Sequence, residues 1–309
     1  MSFGVEGQSI LVTGGRGFIG GTVVSQLQAA GAVVSAPSRQ DLDVCEADAV
    51  WSWVDTHQPA AIVHLAGVVG GRAWLAANDA RIDTDTHRMT NAIARAAKHE
   101  CVVRVLGVGS TAAYADDARR PLRESSLHDG AIPGTIGAYA RHKRELGMAL
   151  AAMSTASGGY VLPCNVYGPG QRTDAQRANV VGAVVARFVD AVADGACVVH
   201  CHGANASREF LFVDDCAAGI IDALRRLTTA QPVNLGSGTA VPIAELTQCI
   251  AAAAGYEGRI AWKDKDAAGD ALWSSDELAR SQLAWRPDTA LQDGIAQTVQ
   301  WYRTRRCAS

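Results

Sequence analysis

The glycines of Gly14-Gly-Arg-Gly17-Phe-Ile-Gly20 constrain this chain more than any other feature. They follow a short apolar run at 8–13 and open a helix-forming stretch at 20–30 that stops at Gly31. A buried strand, a glycine turn and a helix in that order form a backbone cradle. The turn is tight, and the helix N-terminus points N–H donors at whatever anion sits there. The pyrophosphate of a dinucleotide is the expected occupant. Gly14, Gly15, Arg16, Gly17, Phe18 and Ile19 are its expected contacts. A glycine-rich turn with no ligand is the alternative, and the position between strand and helix argues against it.

Further strands are expected at 32–35, 60–65, 102–108 and 159–163, with helices at 48–56, 83–98 and 137–152. Strands alternating with helices imply an α/β fold with a doubly wound parallel sheet. After Tyr167-Gly-Pro-Gly170 the pattern changes. A helix is expected at 180–192, strands at 210–213 and 233–235, and late helices at 242–254 and 291–302. The chain has 309 residues, long for one core. We therefore expect a dinucleotide-binding domain from 1–168 and 208–236. A smaller, discontinuous α/β substrate-binding lobe is expected from 169–207 and 237–309.

The end of the second strand separates NAD from NADP. An acidic residue there would bind the adenosine ribose hydroxyls. The chain instead reads Ser35-Ala-Pro-Ser-Arg39, with no carboxylate before Asp41. Arg39, helped by Ser38 and Arg16, can pair a 2′-phosphate through charge-assisted bonds. NADP(H) is the expected cofactor. Asp41 and Leu42 are placed against the adenine, although an aspartate capping the turn is an equal alternative for Asp41.

Tyr139 and Lys143 stand four apart in Tyr139-Ala-Arg-His-Lys143, so they share one helix face. An ammonium near a phenol is expected to lower a pKa that is otherwise about 10. The tyrosine could then exchange a proton with a substrate oxygen. Val105-Leu-Gly-Val-Gly-Ser110-Thr111 reads as a strand ending in small residues, which puts Ser110 at the carboxyl edge of the sheet. Ser110 would hydrogen-bond a carbonyl oxygen, Tyr139 would donate the proton, and Lys143 would tune Tyr139 and hold the nicotinamide ribose.

Together these residues resemble the extended short-chain dehydrogenase/reductase family, in its nucleotide-sugar branch, over nearly the whole chain. The resemblance implies a Rossmann sheet. His64-Leu-Ala-Gly-Val-Val-Gly-Gly71 resembles that branch's third-strand loop, which implies cofactor contacts at Leu65, Ala66 and Gly67 and a substrate contact at Val69. Asn165-Val-Tyr-Gly-Pro169, Arg208-Glu-Phe-Leu-Phe-Val-Asp-Asp215, Val233-Asn-Leu-Gly-Ser-Gly238 and Leu283-Ala-Trp-Arg-Pro287 resemble its further motifs. Within the branch, the loops and the 180–188 helix are most similar to the GDP-L-fucose synthase group. Those enzymes epimerise a 4-keto-6-deoxy sugar at C3 and C5, then reduce C4 with NADPH.

The resemblance implies a substrate set of Val69, Ser110, Thr111, Ala112, Asn165, Asn179, Val180, Arg187, Cys201 and Arg208, with Tyr114 a further contact. Two departures matter. The group's epimerase cysteine and histidine are replaced by Ala112 and Asn179, which lack proton-transfer capacity near neutrality. Cys201 stands where the group has a tryptophan, which leaves GDP, dTDP or another nucleotide open, with Arg187 and Arg208 as diphosphate partners. The reading is therefore an NADPH-dependent 4-ketoreductase without epimerisation. A bifunctional epimerase–reductase and a 4-epimerase are enzyme alternatives, and a dinucleotide-sensing protein is the non-enzyme alternative. Ser110-Thr111-Ala112 argues against a dehydratase. Relatives pair the helices expected at 83–98 and 137–152 across a two-fold axis, which implies a homodimer built on a four-helix bundle.

Net charge is −3, so no electrostatic footprint for nucleic acid or an anionic membrane is expected. No apolar run reaches the ~18 residues of a membrane span. The first seven residues lack a basic region, so no signal peptide and a cytoplasmic location are expected. The eight scattered cysteines include no C-x-x-C and read as reduced thiols. His200-Cys-His202 lacks further ligands nearby, so no metal site is expected, and entry of either histidine into the sugar pocket as a substitute base ranks second to a structural role.

Overall fold

The computed structural model describes residues 2–132, 134–153, 156–174, 177–263 and 269–307. Its strands are β1 Ser9–Thr13, β2 Val33–Ser35, β3 Ala61–His64, β4 Arg104–Val108, β5 Ser157–Pro163, β6 Asn165–Tyr167, β7 Val198–Cys201, β8 Ser207–Arg208, β9 Phe210–Phe212, β10 Pro232–Leu235, β11 Val241–Pro242, β12 Arg259–Trp262 and β13 Ala271–Leu272. Its helices are α1 Phe18–Ala29, α2 Ala47–His57, α3 Arg72–Ala77, α4 Asp79–Ala96, α5 Gly137–Ala151, α6 Val180–Ala193, α7 Val213–Arg226, α8 Ile243–Ala253 and α9 Leu291–Cys307.

The main sheet has six strands in the order β10-β5-β4-β3-β1-β2, all parallel. Every residue of β3 and β4 is buried, as expected of parallel strands covered on both faces. From β1 the chain runs outward to β2, then crosses back to β3 on the other side of β1. That reversal leaves a crevice beyond the carboxyl ends of β1 and β3, where open α/β sheets bind ligands.

Helices α1 and α7 pack on each other and on one face of the sheet, while α2, α4 and α5 cover the other. Val12, Leu27, Val108 and Ile220 belong to the first core, and Leu11, Ile62, Ile93 and Leu146 to the second. Burying such a side chain contributes about 1.5–3 kcal/mol. The expectation at 213–226 stopped at a short strand and missed α7. The helix buries Val213, Cys216, Ala217, Ile220 and Leu224 along one face, with Asp214 and Asp215 in its first turn and Arg225 and Arg226 in its last. Those charges complement the helix dipole.

A third core joins α6, α8 and α9 through Phe188, Leu246, Ile250, Ile295 and Val299. Short strand pairs accompany it: β6 with β9, β7 with β12, and β8 between β11 and β13. Of these only β9 was expected, at 210–213, because each strand's partner lies far away in the chain. Buried polar side chains stitch these pieces together. Glu209 accepts from the Ser274 backbone N–H (2.9 Å), the Ser274 hydroxyl (2.7 Å) and the Gly238 N–H (2.6 Å). Asn234 accepts from the Tyr114 hydroxyl (2.9 Å) and donates to Leu122 O (3.0 Å). Among the described residues, no helix is long and apolar enough to cross a membrane.

Candidate active site

Two clefts open along the carboxyl edge of the main sheet. The first, of about 460 Å³, is lined by the glycine turn, the loops after β2 and β3, and the side chains of Tyr139 and Lys143. Gly14 holds φ +71° and presses on the β3 loop: a Cβ there would lie 2.7 Å from the Ala66 nitrogen. At Gly20 a Cβ would collide with the Gly14 carbonyl. Only glycine permits both approaches, and they bring α1 hard against the turn. No side chain caps α1 and its first turn carries no acid, while Gly17, Phe18 and Ile19 line the cleft. Uncapped N–H donors beside such a cradle suit a pyrophosphate. The residues present therefore fit a dinucleotide.

At the far end of this cleft stand Arg16, Ser38, Arg39 and Leu42. Both guanidiniums are largely exposed, Arg16 facing Asp41 at 3.5 Å and Arg39 facing Asp43 at 3.2 Å. The structure turns Asp41 toward the Ser38 N–H and hydroxyl, at 2.9 and 2.6 Å, so it caps the turn and does not line the cleft. Asp43 lines it instead. Asp41-Leu-Asp43 offers two carboxylates, and only the backbone path shows which faces the ligand. Gly15 likewise lies off the cleft: a Cβ there would meet the Ala36 Cβ at 2.8 Å, so its role is packing. Leu65, Ala66 and Gly67 line the cleft, and a Cβ on Gly67 would reach 3.9 Å from Lys143 Nζ. Thr13, Val44 and Met89 are lining residues that the sequence reading missed.

The second cleft, of about 580 Å³, lies beside the first, and Val69 and Tyr139 line both. Ser110 accepts from the Ala112 N–H at 3.1 Å, capping the short turn at Thr111–Ala113, and hydrogen-bonds the Tyr139 phenol. Ser110 is therefore a cap whose hydroxyl also stands beside the phenol. Lys143 donates to Val108 O at 3.0 Å, and its Nζ lies 5.6 Å from the Tyr139 ring centre.

The expected lowering of the Tyr139 pKa is not what the structure gives. Burial raises the phenol above its ordinary value, and the Ser110 hydrogen bond only partly opposes this. The ammonium is held by a carbonyl, and burial lowers its own pKa to about 8. Tyr139 is therefore a neutral phenol at neutral pH, the form that donates a proton. Beneath it, burial and the nearby Lys143 charge push His64 down to about 3, and its Nδ1 pairs with Thr13 Oγ1 at 2.8 Å. His64 is a neutral structural imidazole.

Thr111, Ala112, Asn165, Asn179, Val180 and Arg208 line the second cleft with Ser110 and Val69. Several are already bonded to the protein. Asn179 is the N-cap of α6: its Oδ1 accepts from Gly182 N (3.0 Å) and its Nδ2 donates to Val166 O (2.9 Å). Asn165 donates to Glu209 O at 2.8 Å, and Arg208 pairs with Asp270 at 3.0 Å. Tyr114 contributes to the wall while its hydroxyl is engaged by Asn234. Arg187 and Cys201 do not line this cleft. Arg187 donates to His200 O at 3.0 Å and lies 3.9 Å from the Cys201 sulfur, which is buried at the end of β7. Asp116 lines the cleft too, from a chain position that gave the sequence reading no reason to include it, and so does His202, the second-ranked candidate for entry into the sugar pocket.

Residues 10–236 match the model of the NAD dependent epimerase/dehydratase family. GDP-L-fucose synthase 1 of Arabidopsis thaliana is 30% identical over 313 residues, covering 96% of this chain and 94% of that protein. A GDP-L-fucose synthetase from Naegleria fowleri matches in structure with a TM-score of 0.89 at 22% identity, over 100% of this chain and 97% of that one. A GDP-mannoheptose C4 reductase from Campylobacter jejuni, solved with NADP bound, matches with a TM-score of 0.85 at 21% identity, over 96% of this chain and 98% of that one. These two structures establish likeness of fold.

Proposed function

This chain belongs to the NAD dependent epimerase/dehydratase family, and from that premise we propose that it is an NADP(H)-dependent 4-ketoreductase. Its substrate is a nucleotide-linked 4-keto-6-deoxy sugar, GDP- or dTDP-linked, and it does not epimerise C3 or C5. The relatives' names favour GDP, and the reductase solved with NADP bound favours that cofactor. Arg16, Ser38 and Arg39 at the cleft end supply the partners a 2′-phosphate needs. On this reading residues 1–168 and 208–236 hold the cofactor, and 169–207 with 237–309 hold the nucleotide sugar.

Bound NADPH would supply the hydride to C4 of the sugar. Tyr139, at the seam of the two clefts, donates the proton to the sugar O4. Ser110 hydrogen-bonds the same oxygen and stabilises the developing charge. Lys143, charged below about pH 8, adds positive potential beneath the phenol and orients the ribose.

One observation carries the absence of epimerisation. Asn179 has its amide committed at both ends to the α6 cap and to Val166, and Ala112 beside Ser110 has no ionisable group. Removing an α-proton from one face and returning one to the other needs a base and an acid. The test is turnover of GDP- and dTDP-linked 4-keto-6-deoxy hexoses with NADPH in D₂O. We expect reduction at C4 with no enzyme-dependent deuterium at C3 or C5. Deuterium there would replace this reading with the bifunctional one, for which His202 on the cleft wall is the observation in favour. No NADPH oxidation with any such sugar would remove the ketoreductase reading.

We also propose a homodimer through α4 and α5, which pack side by side on one face of the sheet. Light scattering at micromolar concentration should give twice the chain mass, and a monomer mass would rule the pairing out.

A further inference from the structure

Outside both clefts, α4 and α5 bring His87, His142 and Glu145 together, with one ligand atom of each within 4.8 Å of the others. We propose that these three residues form a binding site for a divalent transition-metal ion, of the zinc, cobalt or nickel class. The two helices meet here one residue from Lys143, but His87 and His142 are far apart in the sequence. No ligand spacing could have announced the site.

The surroundings are those of a ligand set. His142 is 3% exposed, and its Nε2 faces Asp83 Oδ1 at 2.8 Å. In the tautomer with its proton on Nε2, facing this carboxylate, the lone pair is left on Nδ1, the arrangement that orients metal-binding histidines. The other nitrogen, Nδ1, is buried and makes no hydrogen bond, although Glu145 Oε2 approaches it to 2.6 Å. In that tautomer the Nδ1 lone pair and the Glu145 oxygen repel unless a cation sits beside them. Arg141 does not fill that role: it pairs with Asp83 and stands 3.9 Å from the other Glu145 oxygen. On α4, the exposed His87 lies with its ring centre 6.2 Å from that of His142, and Asn91 Nδ2 holds its Nε2 at 3.0 Å.

Two imidazoles and a carboxylate match the donor preference of zinc and its neighbours. Small rotations of the exposed His87 and half-buried Glu145 would bring their donors to the ~2.0–2.2 Å metal–ligand distances such ions require. The rival occupant is a proton, which would make His142 an imidazolium between two carboxylates.

Metal-stripped full-length protein titrated with Zn²⁺, and with Co²⁺ as the optical probe, distinguishes the two. We expect one equivalent bound per chain at micromolar concentration, a rise of several degrees in Tm, and Co²⁺ bands of nitrogen and oxygen ligation. His87→Ala, at an exposed position, and Glu145→Gln should each weaken Zn²⁺ binding about tenfold or more, and Asp83→Asn by about tenfold. His57→Ala, on α2, should leave binding unchanged. No saturable binding overturns the proposal. So does a thiolate charge-transfer band, or affinity that survives both His87→Ala and Glu145→Gln. The readouts are independent of turnover, so failure here leaves the ketoreductase reading untouched.

Discussion

The two clefts that meet at Tyr139 are built in opposite ways. The cofactor cleft is built around one continuous strand, turn and helix that presents backbone N–H groups, with Arg16 and Arg39 at its far end and Lys143 at the seam. The substrate cleft gathers side chains from pieces spread between Val69 and Leu272. Most of its polar side chains already hold the protein together, as Asn179, Asn165, Arg208 and Tyr114 do. The first cleft is therefore ready to bind charge. The second is a shaped enclosure, and on the proposed reading the reaction is concentrated at the seam.

The sharpest way to break this contrast is at the seam itself. Tyr139→Phe should lower kcat by roughly 10²–10⁴ while NADPH affinity, measured by fluorescence titration, stays within a few-fold. A variant that keeps most of its turnover would move the acid elsewhere.

In the cofactor cleft, Arg39→Ala should weaken NADPH by about tenfold, near the low end for a charge-assisted bond because the side chain is exposed and shared with Asp43. NADH affinity should not change. Equal losses for both cofactors would show that Arg39 does not read the 2′-phosphate.

The smallest effect on rate is expected in the substrate cleft. Asn179→Ala should cost about 1–2 kcal/mol of stability through loss of the α6 cap, read from a denaturant midpoint. Reduction by the folded variant should stay within a few-fold of the parent. A collapse in turnover with stability intact would give Asn179 a chemical role and erase the distinction between the clefts.

The main sheet was legible because its signals are local. The strand–glycine–helix at 8–30 and the later strands near 61, 104 and 157 each announce themselves within a few residues. Tyr139 and Lys143 are fixed relative to each other by helix geometry alone. Ser110 needed only a strand end. The short strands outside the main sheet were far less legible: β6, β7, β12 and β13 exist only because distant segments pair with them. The same limit explains the misplaced contacts. Asp41 and Asp43 are equivalent in sequence, and Arg187 and Cys201 bond to each other's strand surroundings instead of facing the cleft.

By itself, then, the sequence determined the sheet, the cradle and the pairing of Tyr139 with Lys143 on one helix face, since periodicity, glycine sterics and helix spacing act over a turn or two. Tertiary structure decided the protonation state of Tyr139, because burial outweighs a lysine already held by Val108 O. It decided that Asn179 is a cap, because Gly182 and Val166 reach its amide only in the folded chain. It also decided that His87 meets His142, because α4 and α5 pack together only once the sheet has brought them side by side. Desolvation, cap geometry and convergence of distant helices are properties of packing, and no stretch of sequence contains them.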